Sequence, residues 1–359
     1  MKKKIILFIP SIESGGVEKN LFLISEYLIK KKFPTYIVTA NANYKNKFNK
    51  KIKVICPNSN KWIDRKRILK TLIAIFLLIK NFYNKDAIIL SFQSNILAIL
   101  SSKILNLKII IRLNTSVKKY INGYFSERFY RFFYNLSDEI VVNSIFFKKE
   151  LKSILKLDST LIYNSYKPNF IKKKLNFFKN YQGLKIINIG RLTDQKDQIT
   201  LLKSLKLLMK NKINFKCCII GAGVKKTFLN NYVQSNNLNK FVKLIGYKKN
   251  AENYLSSCNL FVLSSKFEGL PNVLIEAQSK NIPIISSDCP TGPKEILLNG
   301  KLGDLFRVGN YKKLSELIIN FKLDKNRLIK KSKDAKKKLI RFNLTINCGK
   351  YLKIISKYQ

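Results

Sequence analysis

The chain is interpreted from one stretch, Ser264-Ser265-Lys266-Phe267-Glu268-Gly269-Leu270-Pro271-Asn272-Val273-Leu274-Ile275-Glu276-Ala277. It places two carboxylates, Glu268 and Glu276, on either side of a glycine and a proline, and the pattern then becomes helical. The apolar run before it, residues 260–263, predicts a buried strand. A strand, a glycine loop and a helix start are typical of ligand sites at the strand ends of α/β sheets. The segment is therefore a candidate ligand site, and we expect the rest of the chain to supply the other half of a cleft.

The composition indicates a two-domain globular protein with an unusual charge. The chain has 359 residues, a length that is too great for one ordinary core and suggests two domains. Its hydrophobic fraction of 46% is typical of a globular protein. Lys and Arg number 69 against 21 Asp and Glu, for a formal net charge of +48. A positive charge of this size attracts an anionic membrane, a pyrophosphate-bearing substrate or nucleic acid. A drift in amino-acid composition that has no function also explains the excess of lysine. The absence of histidine excludes imidazole catalysis and histidine metal sites.

The six cysteines form no C-x-x-C pair, which favours reduced thiols and a cytosolic compartment. The apolar run at 5–9 is very short and has no cleavage pattern after it, so it predicts a first strand and not a signal peptide. No apolar run approaches the roughly 20 residues of a spanning helix. We expect a cytoplasmic protein, peripheral on the inner face of the cytoplasmic membrane.

Strands alternate with helices along the whole chain, which predicts α/β architecture with parallel sheets. We predict a Rossmann-like N-terminal domain over 1–165, a linker at 166–182 and a Rossmann-like C-terminal domain over 183–341. Residues 342–359 predict a C-terminal helix that can cross back to the N-terminal domain. The linker is assigned by its composition, since it carries a proline and a run of lysines.

One predicted helix has two interpretations. Residues 64–82 mix a long apolar run with Lys66, Arg67, Lys70 and Lys80. The segment is either an ordinary core helix or a basic amphipathic helix that touches lipid.

Two glycine-bearing turns are candidate phosphate sites. Arg191 and Lys196 follow a strand that ends in glycine, and two cations over the carboxyl end of a parallel sheet suit a diphosphate. Gly15 and Gly16 lie where the first strand meets its helix, and helix-terminal amides there favour phosphate. An ordinary turn explains the two glycines equally well.

The helix start in the opening stretch predicts separate binding roles for its two acids, Glu268 and Glu276. Pro271 suits a first helical position, and Asn272 and Val273 would present amides at the positive helix end. Glu276 lies one turn further on the same face as Asn272. A carboxylate accepts two hydrogen bonds, which matches the vicinal hydroxyls of a ribose, and Glu268 can bind hydroxyls in the same way.

The ordered motifs resemble the retaining glycosyltransferases of family four, which have the GT-B fold. The stretch from Glu268 to Glu276 is similar to their Glu-x7-Glu signature. The remaining elements are Gly15-Gly16 with Glu18, Asn164, Gly190-Arg191-Leu192 with Lys196, Gly221 and Gly223, Gly246, Phe267 to Ala277, and Gly303 ahead of Val308-Gly309. The resemblance implies two Rossmann-like domains with parallel sheets facing across a cleft, the acceptor on the N-terminal domain and the donor on the C-terminal one.

The resemblance also implies roles for individual residues. Glu276 would bind the donor ribose, Glu268 the donor sugar, and Arg191 and Lys196 the diphosphate. The implied backbone contacts to the donor come from Gly15, Gly16, Gly269, Leu270, Pro271, Asn272 and Val273. Many members place a histidine near the donor sugar, and this chain has none. Arg112 or Asn114, at the end of a strand, is the candidate for that catalytic role.

The implied activity is retaining transfer of a hexose or N-acetylhexosamine from a nucleotide diphosphate sugar, with UDP as the expected nucleotide. The expected acceptor is a glycan, lipid-linked, in bacterial surface polysaccharide or oligosaccharide biosynthesis. No cofactor is expected, and the lack of an Asp-x-Asp pair predicts no metal. The expected partners are donor, acceptor and an anionic membrane surface, without nucleic acid. The alternatives are a basic nucleic-acid-binding protein, which would need a binding motif that the sequence lacks, or a GT-B enzyme of other chemistry such as a sugar-nucleotide epimerase.

Overall fold

The computed structural model describes residues 2–12, 15–62, 64–168 and 177–359. The chain divides into two compact units, one formed by 1–167 with 342–359 and the other by 168–341. The central part of the predicted linker, 169–176, lies outside the described residues.

The N-terminal unit contains a seven-stranded parallel sheet with helices on both faces. Its elements in chain order are β1 (Lys4–Phe8), α1 (Gly16–Lys30), β2 (Thr35–Val38), β3 (Lys53–Ile55), α2 (Arg67–Phe82), β4 (Ala87–Ser91), α3 (Asn95–Ile104), β5 (Lys108–Leu113), α4 (Tyr124–Asn135), β6 (Glu139–Val142), α5 (Ile145–Glu150) and β7 (Thr160–Leu161). The strand order is β3-β2-β1-β4-β5-β6-β7. The central strands are apolar on both sides because helices cover both faces of the sheet.

The C-terminal unit contains a six-stranded parallel sheet. Its elements are β8 (Leu184–Ile189), α6 (Gln198–Lys210), β9 (Phe215–Ile220), α7 (Lys226–Ser235), β10 (Val242–Leu244), β11 (Leu260–Leu263), α8 (Asn272–Ser279), β12 (Ile284–Ser287), α9 (Pro293–Ile296), β13 (Asp304–Phe306), α10 (Tyr311–Leu323) and α11 (Lys325–Lys337). The strand order is β10-β9-β8-β11-β12-β13. The prediction of two Rossmann-like α/β domains with parallel sheets is therefore confirmed.

The last helix, α12 (Leu344–Ser356), belongs to the N-terminal unit and packs against α1. Its buried side chains, among them Tyr351 and Ile355, join the core on the α1 face of the sheet. The backbone amide of Tyr166 donates to the carbonyl of Phe342 at 2.7 Å. This hydrogen bond connects the start of the C-terminal segment to the end of the 1–167 segment of the same unit. Residues 342–359 thus complete the core of the N-terminal unit.

The cysteines are free thiols in the structure. All six cysteines are in the described part of the chain and none is paired, and five of them are buried. No helix among the described residues is long and apolar enough to cross a membrane. The boundary of one predicted helix differs at its charged end: α2 begins at Arg67 and not at residue 64.

One buried acid holds the far strand of the second sheet in place. Asp304, at the start of β13, accepts a hydrogen bond from Arg327 Nη1 at 2.9 Å and from Lys331 Nζ at 2.8 Å, and Arg327 Nη2 contacts its second oxygen. Burial alone would raise the pKa of Asp304, but the hydrogen bonds and positive charges of Arg327 and Lys331 lower it below its usual value. The three residues line an open pocket of about 460 Å³.

We predict that Asp304→Asn lowers the free energy of unfolding by about 1 to 3 kcal/mol at pH 7, because it removes the charge of a hydrogen-bonded buried acid. The folded pKa lies below the unfolded one, so this stabilisation is present above about pH 4 and is lost as the pH falls through the folded pKa. Chemical denaturation of both proteins at pH 7 and in acid measures the difference, which should narrow in acid.

Asp334→Asn is the control for this substitution, because Asp334 is half-exposed and pairs only weakly with Lys337, at 3.4 Å. It should change the free energy of unfolding by less than about 0.5 kcal/mol. Equal losses in the two variants would contradict the role assigned to Asp304.

Candidate active site

The order of the strands locates a crevice in the C-terminal sheet. From β8 the chain winds outward through β9 and β10, and from β11 it winds the other way through β12 and β13. Neighbouring strands β8 and β11 therefore form the point where the winding direction reverses. In open parallel sheets ligands bind outside the carboxyl ends of such a strand pair, where the two following loops part. Here those loops are 190–197 and 264–271, the two stretches that sequence analysis selected.

The two loops are fixed to one another by hydrogen bonds. The amide of Lys266 donates to the carbonyl of Gln195 at 2.8 Å, and the side-chain amide of Gln195 donates to the carbonyl of Phe267 at 3.0 Å. The Ser264 hydroxyl donates to the carbonyl of Lys196 at 3.0 Å. This network makes one connected surface from residues that are about seventy positions apart in sequence.

An ion pair lies at the centre of this surface. Lys196 Nζ is 2.5 Å from Glu268 Oε1, and the Ser265 hydroxyl donates to the same oxygen at 2.6 Å. The side chain of Glu268 is 6% exposed and that of Lys196 is 15% exposed. The pair is therefore shielded from water, in a place where opposite charges attract more strongly than at the surface. The structure thus brings together two residues that sequence analysis predicted to act on one ligand.

A third loop supports the second one from behind. Ser287, at the end of β12, donates to the carbonyl of Ser265 at 2.6 Å, and the Thr291 hydroxyl donates to the carbonyl of Glu268. Gly292 has φ of +77°, and a Cβ there would be 2.0 Å from the carbonyl oxygen of Gly269 and 2.6 Å from Pro271. Only glycine fits at this position, because both the backbone angle and the close approach exclude a side chain. The conformation of the Glu268 loop is thereby fixed.

Helix α8 begins at Asn272, directly after this loop, and Pro271 is its N-cap residue. The predicted first helical position of Pro271 is therefore one residue too early. Glu276 is buried, one turn into the helix, at 7% exposure. The first amides of α8, including that of Val273, lie at the positive end of a helix that starts at the carboxyl edge of the sheet.

Arg191 lies at the rim of the site and is exposed. Its Nη2 is 3.4 Å from Gln195 Oε1, and its carbonyl accepts from the Gln198 side chain at 2.9 Å. Its loop packs tightly against the turn after β9. A Cβ on Gly221, which has φ of +159°, would be 1.9 Å from the carbonyl oxygen of Gly190. Gly221 thus serves the close packing of two turns.

The N-terminal sheet reverses its winding between β1 and β4, and the predicted glycines follow β1. Gly15 is the N-cap of α1 and Gly16 is its first residue, and both are exposed. A Cβ on Gly15 would be 2.7 Å from Glu18 Oε2, so the carboxylate of Glu18 folds back to this helix start. An acid in the first turn is favourable for the helix dipole.

Arg112 lies at the end of β5 with its side chain buried, and its role as the catalytic group beside the donor sugar stays a prediction. Its side chain is 1% exposed, and its Nη2 donates to Asn164 Oδ1 at 2.6 Å. Its guanidinium also lies over the ring of Phe92, 5.7 Å from the centroid. Position at a strand end made Arg112 a candidate, but its side chain turns into the protein.

Asn114 is half-buried and supports the loop after β4. Its Nδ2 donates to the carbonyl of Phe92 at 3.0 Å, and its Oδ1 is buried without a partner among the described residues. Gln93, the next residue in that loop, accepts from the amide of Ser11 in the loop after β1 at 3.3 Å. Asn114 therefore supports the loop that follows β4, and this loop is in turn hydrogen-bonded to the loop after β1.

Sequence reasoning missed the residues that hold the candidate site in shape. They are Gln195, Ser265, Ser287, Thr291 and Gly292 in the C-terminal unit and Gln93 in the N-terminal one. The available signal was their position, since each lies within a few residues of the carboxyl end of a predicted strand. Among the described residues, no cluster of three or more Cys, Asp or Glu side chains could hold a metal ion.

Two family models match the chain and together span nearly all of it. Residues 14–170 match Glycosyltransferase Family 4, and residues 169–338 match Glycosyl transferases group 1. Both halves of the chain are glycosyltransferase domains. The junction of the two matches falls at the same part of the chain as the division between the two structural units.

Curated relatives of this glycosyltransferase are similar over part of their length. An uncharacterized glycosyltransferase of Methanocaldococcus jannaschii is 38% identical over 51% of this chain and 48% of its own. The amylovoran biosynthesis glycosyltransferase AmsD of Erwinia amylovora is 30% identical over 54% of this chain and 56% of its own. An N-acetylgalactosaminyltransferase of Campylobacter jejuni, named for a diphospho-undecaprenol acceptor, is 32% identical over 35% of this chain and 33% of its own. The matches to the first two relatives span about half of their length.

Solved structures confirm the GT-B fold of this glycosyltransferase. HepE of Anabaena, solved in complex with UDP, has a TM-score of 0.80 at 16% identity, and the match covers 99% of this chain and 100% of HepE. At this level of identity the likeness shows the fold alone.

We predict that Gly292→Ala weakens binding of the donor nucleotide by about tenfold or more, a loss of about 1.4 kcal/mol or more, because its Cβ would displace the Gly269–Pro271 turn. Gly309→Ala is the matched control: Gly309 has φ of +76°, against +77° at Gly292, and has nothing within 4 Å of the added Cβ. Both positions have a positive φ that disfavours alanine, and only Gly292 adds the clash, so calorimetric titration with UDP compares the two cases. Equal affinities in the two variants would show that this turn does not shape the site.

Proposed function

We propose that the protein is a retaining, metal-independent glycosyltransferase that transfers a hexose or N-acetylhexosamine from a UDP-sugar to a glycan acceptor. The observation that carries the proposal is the shielded Lys196–Glu268 ion pair at the reversal point between β8 and β11, with Arg191 at its rim. A cation, an anion and an exposed guanidinium at one strand edge match a ligand that combines a diphosphate with a sugar.

The diphosphate would bind between the two loops. Arg191 is exposed and can form two parallel hydrogen bonds with phosphate oxygens, which a lysine cannot. Lys196 would contact the phosphate while keeping Glu268 as its neighbour. The amides at the start of α8, from Asn272 and Val273, would add donors at the positive end of that helix.

The two acids of the signature would recognise the hydroxyl groups of the donor. Glu276, one turn into α8, would accept hydrogen bonds from the two ribose hydroxyls. Glu268 would contact the transferred sugar, since it lies in the loop that precedes the helix. Ser265 and Lys196 keep the carboxylate of Glu268 in one orientation, so a bound sugar would meet a preorganised acceptor.

In the reaction, the bond from the anomeric carbon to the diphosphate breaks and the acceptor hydroxyl takes its place. Negative charge grows on the leaving diphosphate, and Arg191 and Lys196 would stabilise it. The anomeric configuration would be retained by the mechanism usually drawn for this family. In that mechanism the acceptor hydroxyl attacks from the face that the leaving group departs from, and a phosphate oxygen takes the proton of the hydroxyl. Asn114, which supports the loop at Phe92, would take the catalytic role that a histidine near the donor sugar has in many family members.

The acceptor is proposed to be a lipid-linked glycan in surface polysaccharide biosynthesis, with the protein peripheral on the cytoplasmic face of the membrane. Relatives support this proposal through their names, which refer to amylovoran biosynthesis and to a diphospho-undecaprenol acceptor. The net charge of +48 favours attraction to an anionic membrane.

We predict that Glu276→Ala and Arg191→Ala each lower UDP affinity by about 10- to 100-fold, because each removes charged hydrogen bonds to the donor. Because Glu276 is buried, Glu276→Gln serves as a second, nearly isosteric variant. Calorimetric titration with UDP and thermal unfolding measure affinity and folding separately. Glu316→Ala, in an exposed position on α10, should leave affinity unchanged. Near-normal affinity in folded Glu276 and Arg191 variants would make the donor assignment wrong.

We predict that transfer from the preferred UDP-sugar is unchanged by EDTA, since the cationic side chains of Arg191 and Lys196 would neutralise the diphosphate. A panel of UDP-sugars assayed with and without the chelator checks this. Activity that EDTA abolishes and Mg²⁺ or Mn²⁺ restores would contradict metal independence.

A further inference from the structure

Exposed apolar side chains are concentrated in one part of the N-terminal unit. Of the twenty large apolar side chains that are exposed in the described part of the chain, thirteen lie in residues 68–146. Single exposed apolar residues are ordinary on protein surfaces, whereas a contiguous set marks an interaction surface. Two helices of this region show how the set is arranged.

Helix α4 carries an aromatic stripe on its outer side. Phe125 is 87% exposed, and Phe129 and Phe132 follow at the spacing of one helix face. Arg128 lies on the same face between them and is exposed. The opposite side of α4 buries Tyr134 in the core. Phenylalanine on this outer face is not explained by packing within the chain.

Helix α2 carries a second stripe. Ile68, Leu72 and Phe76 recur every four residues and are all more than half exposed, while Ala74 and Leu78 on the other side are fully buried. In the helix that sequence analysis left between two interpretations, one side enters the core and the other is apolar and open to solvent.

The two stripes belong to one surface. Helix α2 packs on α3, and α3 packs on α4. The inner sides of these three helices share a single core on one face of the sheet, so their outer sides point away from the sheet together. We call the outer side chains of α2, α3 and α4 the apolar helix face: Ile68, Leu72, Phe76, Leu100, Ile104, Tyr124, Phe125, Phe129 and Phe132.

The surroundings of the apolar helix face are cationic. Residues 64–135 contain three acids, Asp64, Asp86 and Glu127, of which Asp86 pairs with Lys3 and Glu127 pairs with Arg131. Exposed cations flank the apolar side chains at Arg65, Lys66, Arg67, Lys80, Lys103, Lys118, Lys119 and Arg128. Lys80 Nζ lies 5.9 Å from the centre of the Phe76 ring, so charge and apolar surface are interleaved.

We propose that the apolar helix face inserts into the headgroup region of an anionic lipid bilayer. Aromatic and aliphatic side chains bordered by lysine and arginine are typical of surfaces that lie in the plane of a membrane interface. A second copy of this chain is the poorer occupant, because two surfaces of the same positive charge would repel each other. The inference deepens the proposed function and rests on it for the choice of membrane, since the surface would bring the enzyme to a lipid-linked acceptor.

The position of the face in its own unit favours this role. Helix α4 follows β5 through the loop that begins at Asn114, so its first turns lie at the carboxyl edge of the N-terminal sheet. Phe125 is in those turns. A bilayer in contact with α4 would therefore border the edge where the crevice between β1 and β4 opens.

Vesicle co-sedimentation of the full chain at physiological salt tests the proposal. The wild type should bind vesicles that contain phosphatidylglycerol and phosphatidylcholine more strongly than vesicles of phosphatidylcholine alone. The triple variant Phe125→Ser, Phe129→Ser, Phe132→Ser should lower the partition coefficient by about tenfold or more, since it removes most of the apolar surface of α4. The control Leu323→Ser, Ile340→Ser removes exposed apolar side chains from the other unit and should stay within about twofold of wild type.

Thermal unfolding and UDP titration accompany each variant, so that loss of folding and failure of the donor site are read separately from lipid binding. Equal vesicle binding by the triple variant and the wild type would overturn the proposal. A concentration-dependent dimer that the triple variant abolishes, without vesicle binding by the wild type, would overturn it in favour of a second copy. Vesicle binding that depends on α4 in a chain that does not bind UDP would support this surface and contradict the proposed function.

Discussion

The pairing of β8 with β11 at the centre of the C-terminal sheet is the constraint on which the candidate site depends. Because the chain leaves these two strands in opposite directions, their loops part at the carboxyl edge and leave space there. In the C-terminal unit, every residue proposed to contact the donor follows one of the two strands. The turns after β9 and β12 add close support through Gly221 and Gly292, where a side chain would collide with backbone. Topology therefore supplies the crevice, and glycine allows its walls to approach.

Within that crevice the Lys196–Glu268 pair connects the two loops electrostatically. A shielded ion pair is expensive to desolvate, so its contribution to stability is small unless further hydrogen bonds complete it. Ser265 supplies such a bond to Glu268, and the carbonyl of Lys196 is held by Ser264. The arrangement is better understood as preorganisation for a charged ligand than as a device for stability. At the edge of the same sheet, Asp304 with Arg327 and Lys331 shows the contrasting case, an ion cluster at the start of a strand that holds an edge strand in place.

Much of this organisation is readable in the sequence, because strand ends in parallel sheets share an edge. That rule predicts Glu268, Arg191 and Lys196 at one edge of the C-terminal sheet, where the structure has them in neighbouring loops. It did not give side-chain direction: Arg112 follows the same rule and nevertheless turns inward to Asn164. The support from Thr291 and Gly292 depends on a contact between separate loops, which no local pattern encodes. The aromatic stripe of α4 was also missed, since helical spacing alone does not say which side of a helix meets the core.

The central account is that UDP binds between the loops after β8 and β11. A crystal structure of the protein soaked with UDP tests it most directly. The account predicts the diphosphate within hydrogen-bonding distance of the side chains of Arg191 and Lys196, and the ribose hydroxyls against the Glu276 carboxylate. UDP bound elsewhere, for instance in the pocket around Asp304 at the other edge of the sheet, with the loops after β8 and β11 empty, would contradict it.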